Sequence, residues 1–175
     1  VILKLLTLAL TSLIVIPGGA HLFELPAKMA MGEADYFMVQ SIYAGWALFG
    51  VVIFAAIAAN GYLSLTLRRT DRAAARWALV SALLIGLTLV IFFVWVFPGN
   101  QATANWTSIP ANWDELRRSW EYGHAVNAII TFVALLATGR AIAGRPTDVG
   151  HLKHRIVPQD PSGDGRSTSR SMEQV

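Results

Sequence analysis

Two pairs of residues carry the chemistry that this sequence offers. His21 and Glu24 read H-x-x-E, and Glu121 and His124 read E-x-x-H. A separation of three residues puts both members of each pair on one helix face. Three kinds of work suit such pairs. An imidazole can accept a proton while a carboxylate orients it, with Trp and Tyr as walls, which gives an acid–base site for an apolar substrate. Glu-x-x-His is also the spacing of di-iron carboxylate bundles, and two histidines at one depth could clamp a haem as axial ligands. The chain has no cysteine, so any metal would rest on His and carboxylate oxygens, and the further carboxylates a di-iron centre needs are missing from the other spans. The third reading is structural: an interhelical hydrogen-bond network of His21, Glu24, Arg117, Glu121 and His124 that holds helix ends together. No cofactor is specified by the residues alone.

These residues must be positioned by apolar segments. Only 14% of the chain is charged, against about 25% in ordinary soluble domains, and the mean hydropathy is +0.49, which excludes the soluble class. Crossing a hydrocarbon core of roughly 30 Å takes about 20 helical residues. Four stretches meet that need, and the reading is an all-α integral membrane four-helix bundle over residues 1 to 143, with helices at 2 to 25, 36 to 67, 77 to 97 and 112 to 143. The first, LLTLALTSLIVIPGGA, also has the look of a signal-peptide core, but its apolar run continues into HLFELP, which favours a spanning helix. Asn112 with Glu115 forms a capping-box pattern ahead of the fourth helix. Residues 144 to 175 read as a flexible cytoplasmic tail, in which His151 and His154 are solvated.

Orientation follows from short-loop basic residues. Arg68, Arg69, Arg72 and Arg76 lie between the second and third helices, and Arg140 and Arg145 follow the fourth. Both clusters belong on the cytoplasmic side, which puts both termini there, in a bacterial inner (plasma) membrane. This topology accounts for the net charge of +3 without nucleic acid as a partner. Counting about 20 residues from Lys4 and from Arg140 then places His21 and His124 at similar depth in the outer half.

On the fourth helix, Trp113, Arg117, Trp120, Glu121, His124, Asn127 and Thr131 form a polar and aromatic stripe, while Ile129, Phe132, Val133 and Leu136 face lipid. Ionisable groups at membrane depth seek partners, and for Glu121 those are expected to be Arg117 and His124. Gln40, Tyr43, Trp46, Asn100 and Gln101 add to a polar outer half, whereas the inner half is mostly Ala, Leu, Ile and Val. Trp113, Trp120 and Tyr122 suit an interfacial belt, and Trp106 with Trp113 offers a docking surface for a membrane-protein partner in a larger complex. Pro17-Gly18-Gly19 has two readings: room for a ligand beside His21, or close approach of helices.

The run NWDELRRSWEYGHAVNAIITFVALLA, preceded by Asn100 in FPGN, resembles the signature of a domain-of-unknown-function grouping of small four-helix membrane proteins that includes anthrone oxygenases. Members carry an asparagine after the third helix and then Arg-x-x-Trp-Glu-x-x-His, matched here by Arg117, Trp120, Glu121 and His124. The pattern often continues with arginine where this chain has Asn127, so a charged substrate contact is missing. The resemblance implies oxygen insertion into an electron-rich polyaromatic substrate without a metal or flavin. Under that implication His124 would be the base and Glu121 its orienter; from the residues themselves, His21 joins them as a catalytic candidate, and Glu24, Tyr43, Asn100, Arg117, Trp120 and Asn127 are the candidates to line the substrate.

Overall fold

The computed structural model describes residues 1–143. The tail expected from 144 onward, with His151 and His154, lies outside the described residues. Every regular element among the described residues is helical: α1 (Ile2–Ala30), α2 (Glu33–Gln40), α3 (Phe49–Leu67), α4 (Arg72–Ile91), α5 (Phe97–Ala102) and α6 (Trp113–Ala143). Four helical stretches are long and apolar enough to cross a membrane, the third of them running from Arg72 through Ala102. α1 and α4 each pack against both α3 and α6.

Three boundaries differ from the sequence reading, and each difference shapes the site. α1 continues five residues past position 25, through Pro26, to Ala30. A proline costs a helix one backbone bond, but the added turn is anchored from α6: Arg117 Nη1 donates to the carbonyls of Met31 at 2.9 Å and Lys28 at 3.5 Å. A cation there also complements the negative end of the helix dipole. The second stretch is not one helix. It breaks after Gln40 into two short 3-10 turns, Ser41–Tyr43 and Trp46–Leu48, around Gly45, whose φ of 83° is open to glycine at no steric cost. The break turns Tyr43 and Trp46 toward α1.

The third difference is in α4, which begins at an Asp71 N-cap accepting from the amides of Ala73 and Ala74 at 3.0 and 2.9 Å. Its far end widens into a π-helical segment, Phe92–Val96, before Pro98 in α5. Pro98 lacks the N–H that an α-helix would offer and crowds the preceding turn, which a π turn relieves. Side chains of α6 serve carbonyls at this segment: Asn127 Nδ2 donates to Thr88 at 3.1 Å and Ser119 Oγ to Trp95 at 3.0 Å. Gly123 faces the widened turn, where a Cβ would stand 2.8 Å from Val96 Cγ2.

The interior has three levels. At one end Leu63, Ala78 and Ala141 pack together; in the middle lie Ile14, Ala56, Ile85 and Ala134; at the other end Tyr36, Val96, Trp106 and Trp120 form an aromatic cluster. The first two levels, mostly apolar as expected, also carry a polar chain. Ser81 Oγ lies 2.8 Å from Thr138 Oγ1, Thr138 donates to Asn60 Oδ1 at 2.9 Å, Asn60 Nδ2 donates to Thr11 Oγ1 at 3.0 Å, and Thr11 donates to the Thr7 carbonyl at 2.8 Å. Thr138 has one hydroxyl proton; spending it on Asn60 makes Ser81 the donor to Thr138, and every member of the chain is satisfied. All four long helices contribute. Small side chains aid the packing: a Cβ on Gly18 would meet Ala128 Cα at 3.2 Å, so of the two readings of Pro17-Gly18-Gly19, Gly18 serves close approach. Ile129, Phe132, Val133 and Leu136 are exposed on the outside of α6, as a lipid-facing surface requires.

Candidate functional site

The site assembles at the end of the helices where α1, the 3-10 turns and α6 meet. Its centre is a residue the sequence reading passed over. Lys28, 1% exposed, lies one turn beyond Glu24 and two beyond His21 on the same face of α1. Its Nζ stands 3.0 Å from Glu121 Oε2, 2.9 Å from Tyr43 Oη, 3.4 Å from His21 Nδ1 and 3.6 Å from Glu24 Oε2. The Tyr43 and Trp120 rings flank the ammonium at 4.8 and 5.1 Å from their centroids, where the ring faces attract a cation. The Lys28–Glu121 approach is close but oblique, so Oε2 is held by charge and takes no aligned hydrogen bond.

Glu121 is completely buried, and its partners differ from those expected. Tyr36 Oη donates to Oε1 at 3.0 Å, and Gln40 Nε2 reaches the same oxygen at 3.5 Å. Arg117, expected beside Glu121, turns instead to Asp114 and to the end of α1. Asp114 also takes Arg118 Nε at 2.9 Å. The arginine therefore braces α1 and leaves the carboxylate to Lys28. A buried carboxylate requires a counter-charge as well as hydrogen bonds, and Lys28 is the cation whose reach and helix face place it there. Glu121 also makes no hydrogen bond to His124, so the expected orienting role is not the one its contacts serve.

Outside the long helices, two phenols feel this charge. Burial, followed by the neighbouring Glu121 carboxylate, raises the Tyr36 hydroxyl well above the usual phenol range. Burial and the hydrogen bond to Glu24 raise Tyr43 likewise. Both tyrosines stay protonated and act as donors.

The two histidines do meet across α1 and α6. Their rings stack with centroids 4.1 Å apart and 21° between planes, and Trp120 closes on both edges at 5.0 and 4.3 Å. His21 is 4% exposed. Because an ammonium can only donate, Lys28 assigns His21 Nδ1 as acceptor and places the ring proton on Nε2. His124 is half-buried. Neither of its nitrogens takes part in a hydrogen bond with another described residue.

This arrangement does not suit a haem or a metal. Axial imidazoles must point their nitrogens at each other across the iron, with the porphyrin between; these rings lie face against face. Among the described residues, no three His, Asp or Glu side chains converge as a metal-binding group.

The remaining expected residues divide. Asn100 Oδ1 accepts from the indole N–H groups of Trp120 at 2.8 Å and Trp106 at 3.1 Å, which makes it a clamp for two tryptophans. Trp120 is 4% and Trp106 7% exposed; neither is an interfacial anchor, and Trp106 presents no docking surface. A left-handed turn of Ala104, Asn105 and Trp106, with φ of 47°, 55° and 64°, folds Trp106 inward at a cost of roughly 1–2 kcal/mol per residue. The ring burial and the indole bond to Asn100 offset it. Asn127 spends its amide nitrogen on the Thr88 carbonyl, which can only accept, so the amide orientation is fixed and Oδ1 is the atom left buried without a donor.

Lys28, Tyr36 and Gln40 were absent from the expected set of site residues. The signal for Lys28 was its spacing from Glu24 and His21, and for Gln40 its place in the polar outer half; for Tyr36 there was none. The outcome is an all-helical protein with four helices able to cross a membrane and a buried ionic and aromatic cluster at one end. The chain matches no family model, no curated protein and no solved structure.

Proposed function

We propose that the protein is a four-helix integral membrane bundle of the bacterial inner membrane, both termini cytoplasmic, with a metal-free acid–base centre in its outer half. His124 is the proton acceptor. The observation that carries the reading is the contrast within the cluster: Lys28, Glu24, Glu121, Tyr36 and Tyr43 are engaged with one another, while neither nitrogen of His124 is hydrogen-bonded to another described residue, at a half-buried position walled by Trp120 and Phe92. A base needs a lone pair within reach of its substrate, and an apolar substrate needs aromatic walls.

Asn127, one turn further along the inward face, adds a buried acceptor oxygen that can receive a hydroxyl or N–H of the substrate. Glu121 holds Lys28, and Lys28 fixes the tautomer of His21, which supports His124 by stacking. The resemblance to anthrone oxygenases supplies the substrate class and the reaction: removal of a proton from an activated ring CH2 to His124, addition of dioxygen to the carbanion, return of the proton to give a hydroperoxide, and loss of water with O–O cleavage to leave the ring ketone.

Dioxygen uptake by the detergent-purified protein with an anthrone substrate tests this. The His124→Ala variant, folded by circular dichroism and monodisperse by gel filtration, is expected to lose the uptake. Equal uptake in the variant would sink the assignment.

A further inference from the structure

His21 is buried at 4% exposure, yet it is connected to the protein surface. Lys28 Nζ lies 3.4 Å from His21 Nδ1 and donates to Tyr43 Oη at 2.9 Å. The Tyr43 hydroxyl donates in turn to Glu24 Oε2. The Glu24 side chain is 41% exposed. Four titratable groups thus form one continuous line from a half-exposed carboxylate to a buried imidazole. Three belong to α1; the fourth, Tyr43, enters because the chain breaks after Gln40 and the following turn carries the phenol between Glu24 and Lys28.

A brace would need less. The Lys28–Glu121 pair already ties α1 to α6, and Tyr36 and Gln40 already tie α2 to Glu121. The arm through Tyr43 adds a route whose every joint can both give and take a proton.

We propose that Glu24, Tyr43 and Lys28 form a proton path between the outer surface and His21. The inference rests on the reading of the imidazole pair as an acid–base centre, for which the path supplies proton exchange with the medium. The transfers balance. Lys28 gives one ammonium proton to His21 Nδ1, Tyr43 gives its phenolic proton to the resulting amine, and Glu24, protonated from the medium, gives its proton to the Tyr43 oxygen. Glu24, Tyr43 and Lys28 return to their starting states, and the net change is one proton on His21. The reverse order exports one. Glu121 pairs with Lys28 at 3.0 Å, while Tyr36 and Gln40 hold Glu121 and Arg117 fixes the backbone at Lys28. His124 stacks its ring on His21, so the charge that the path sets on His21 acts on it through space.

The test needs no substrate. In full-length protein labelled with 15N-histidine, in lipid nanodiscs, the rate at which His21 Nδ1 gains and loses a proton in exchange with the medium is followed by 15N relaxation-dispersion NMR, with His21→Gln providing the assignment. In Tyr43→Phe, which keeps the ring packing on His21 and Trp46, exchange is expected to slow roughly 100-fold, the lower end of what a positioned acid–base group contributes. Glu24→Gln, at the half-exposed end where folding is less at stake, is expected to slow it likewise, and Tyr62→Phe, at an exposed position on α3, to leave it unchanged. Unaltered exchange in Glu24→Gln overturns the path. Slowed exchange together with a His124→Ala variant that keeps full oxygen uptake would retain the path and reject the catalytic reading, so the two fail separately.

Discussion

Lys28 on α1 and Glu121 on α6 meet as a buried ion pair, Nζ to Oε2 at 3.0 Å, with side-chain exposures of 1% and 0%. Neither charge reaches water, so each is tolerable only because of the other. Removing one partner of a buried pair strands the other, at a cost of about 3–5 kcal/mol, whereas replacing both by apolar groups of similar volume is often neutral. Lys28→Met and Glu121→Leu are each expected to lower thermal stability in detergent strongly, and the double variant to recover most of the loss. Additive losses in the double variant would show that the charges do not depend on each other.

Tyr36 and Tyr43 give the protein an alkaline limit. Both phenols have folded pKa values raised above the ordinary value of about 10. The folded state therefore keeps protons that the unfolded state releases. Their contribution to stability is complete below the unfolded phenol range and is lost as pH rises above it. The chain has four tyrosines. Tyrosinate absorbance during an alkaline titration is expected to leave these two silent until the helices unfold, and Tyr36→Phe together with Tyr43→Phe to abolish the delayed phase.

At Gly123 the constraint is steric. With Val96 Cγ2 only 2.8 Å from where a Cβ would stand, and Val96 itself fully buried, Gly123→Ala must displace the π segment. The expected cost is about 1–3 kcal/mol, the range for overpacking a filled interior. Gly19, with nothing within 4 Å of its added Cβ, is the control: Gly19→Ala should unfold at or above the wild-type temperature.

Asn60 ties the polar chain of the inner levels together. Asn60→Leu removes the interhelical acceptor of Thr138, whose hydroxyl keeps the Ala134 carbonyl at 3.1 Å, and leaves Thr11 without its donor, while Ser81 and Thr138 still bond to each other. Interhelical hydrogen bonds in membranes are worth about 0.6–2 kcal/mol each, so a loss of that order or somewhat more is expected in a steric-trap or denaturant unfolding measurement. A variant as stable as wild type would mean that the apolar packing of Leu alone holds this level.

Sequence by itself determined the number of long apolar helices and, on α6, the outward-facing residues and the inward stripe, because apolar length and a 3.6-residue period are local properties. It also brought His21 and His124 to the same level, since depth along a helix is a count of residues. Which charge answers which was decided by tertiary structure. Arg117 and His124 were the nearest candidates along the chain for Glu121, but three residues distant in sequence supply its partners: Lys28 from a turn of α1 beyond Pro26, Tyr36 and Gln40 from α2. The stacked geometry of the histidines, the π segment facing Gly123 and the inward turn of Trp106 were likewise invisible to a periodicity argument. Each depends on what a neighbouring element places opposite it. Spacing along one helix names the groups that share a face; only the packing of that face against others fixes the partner of each buried charge.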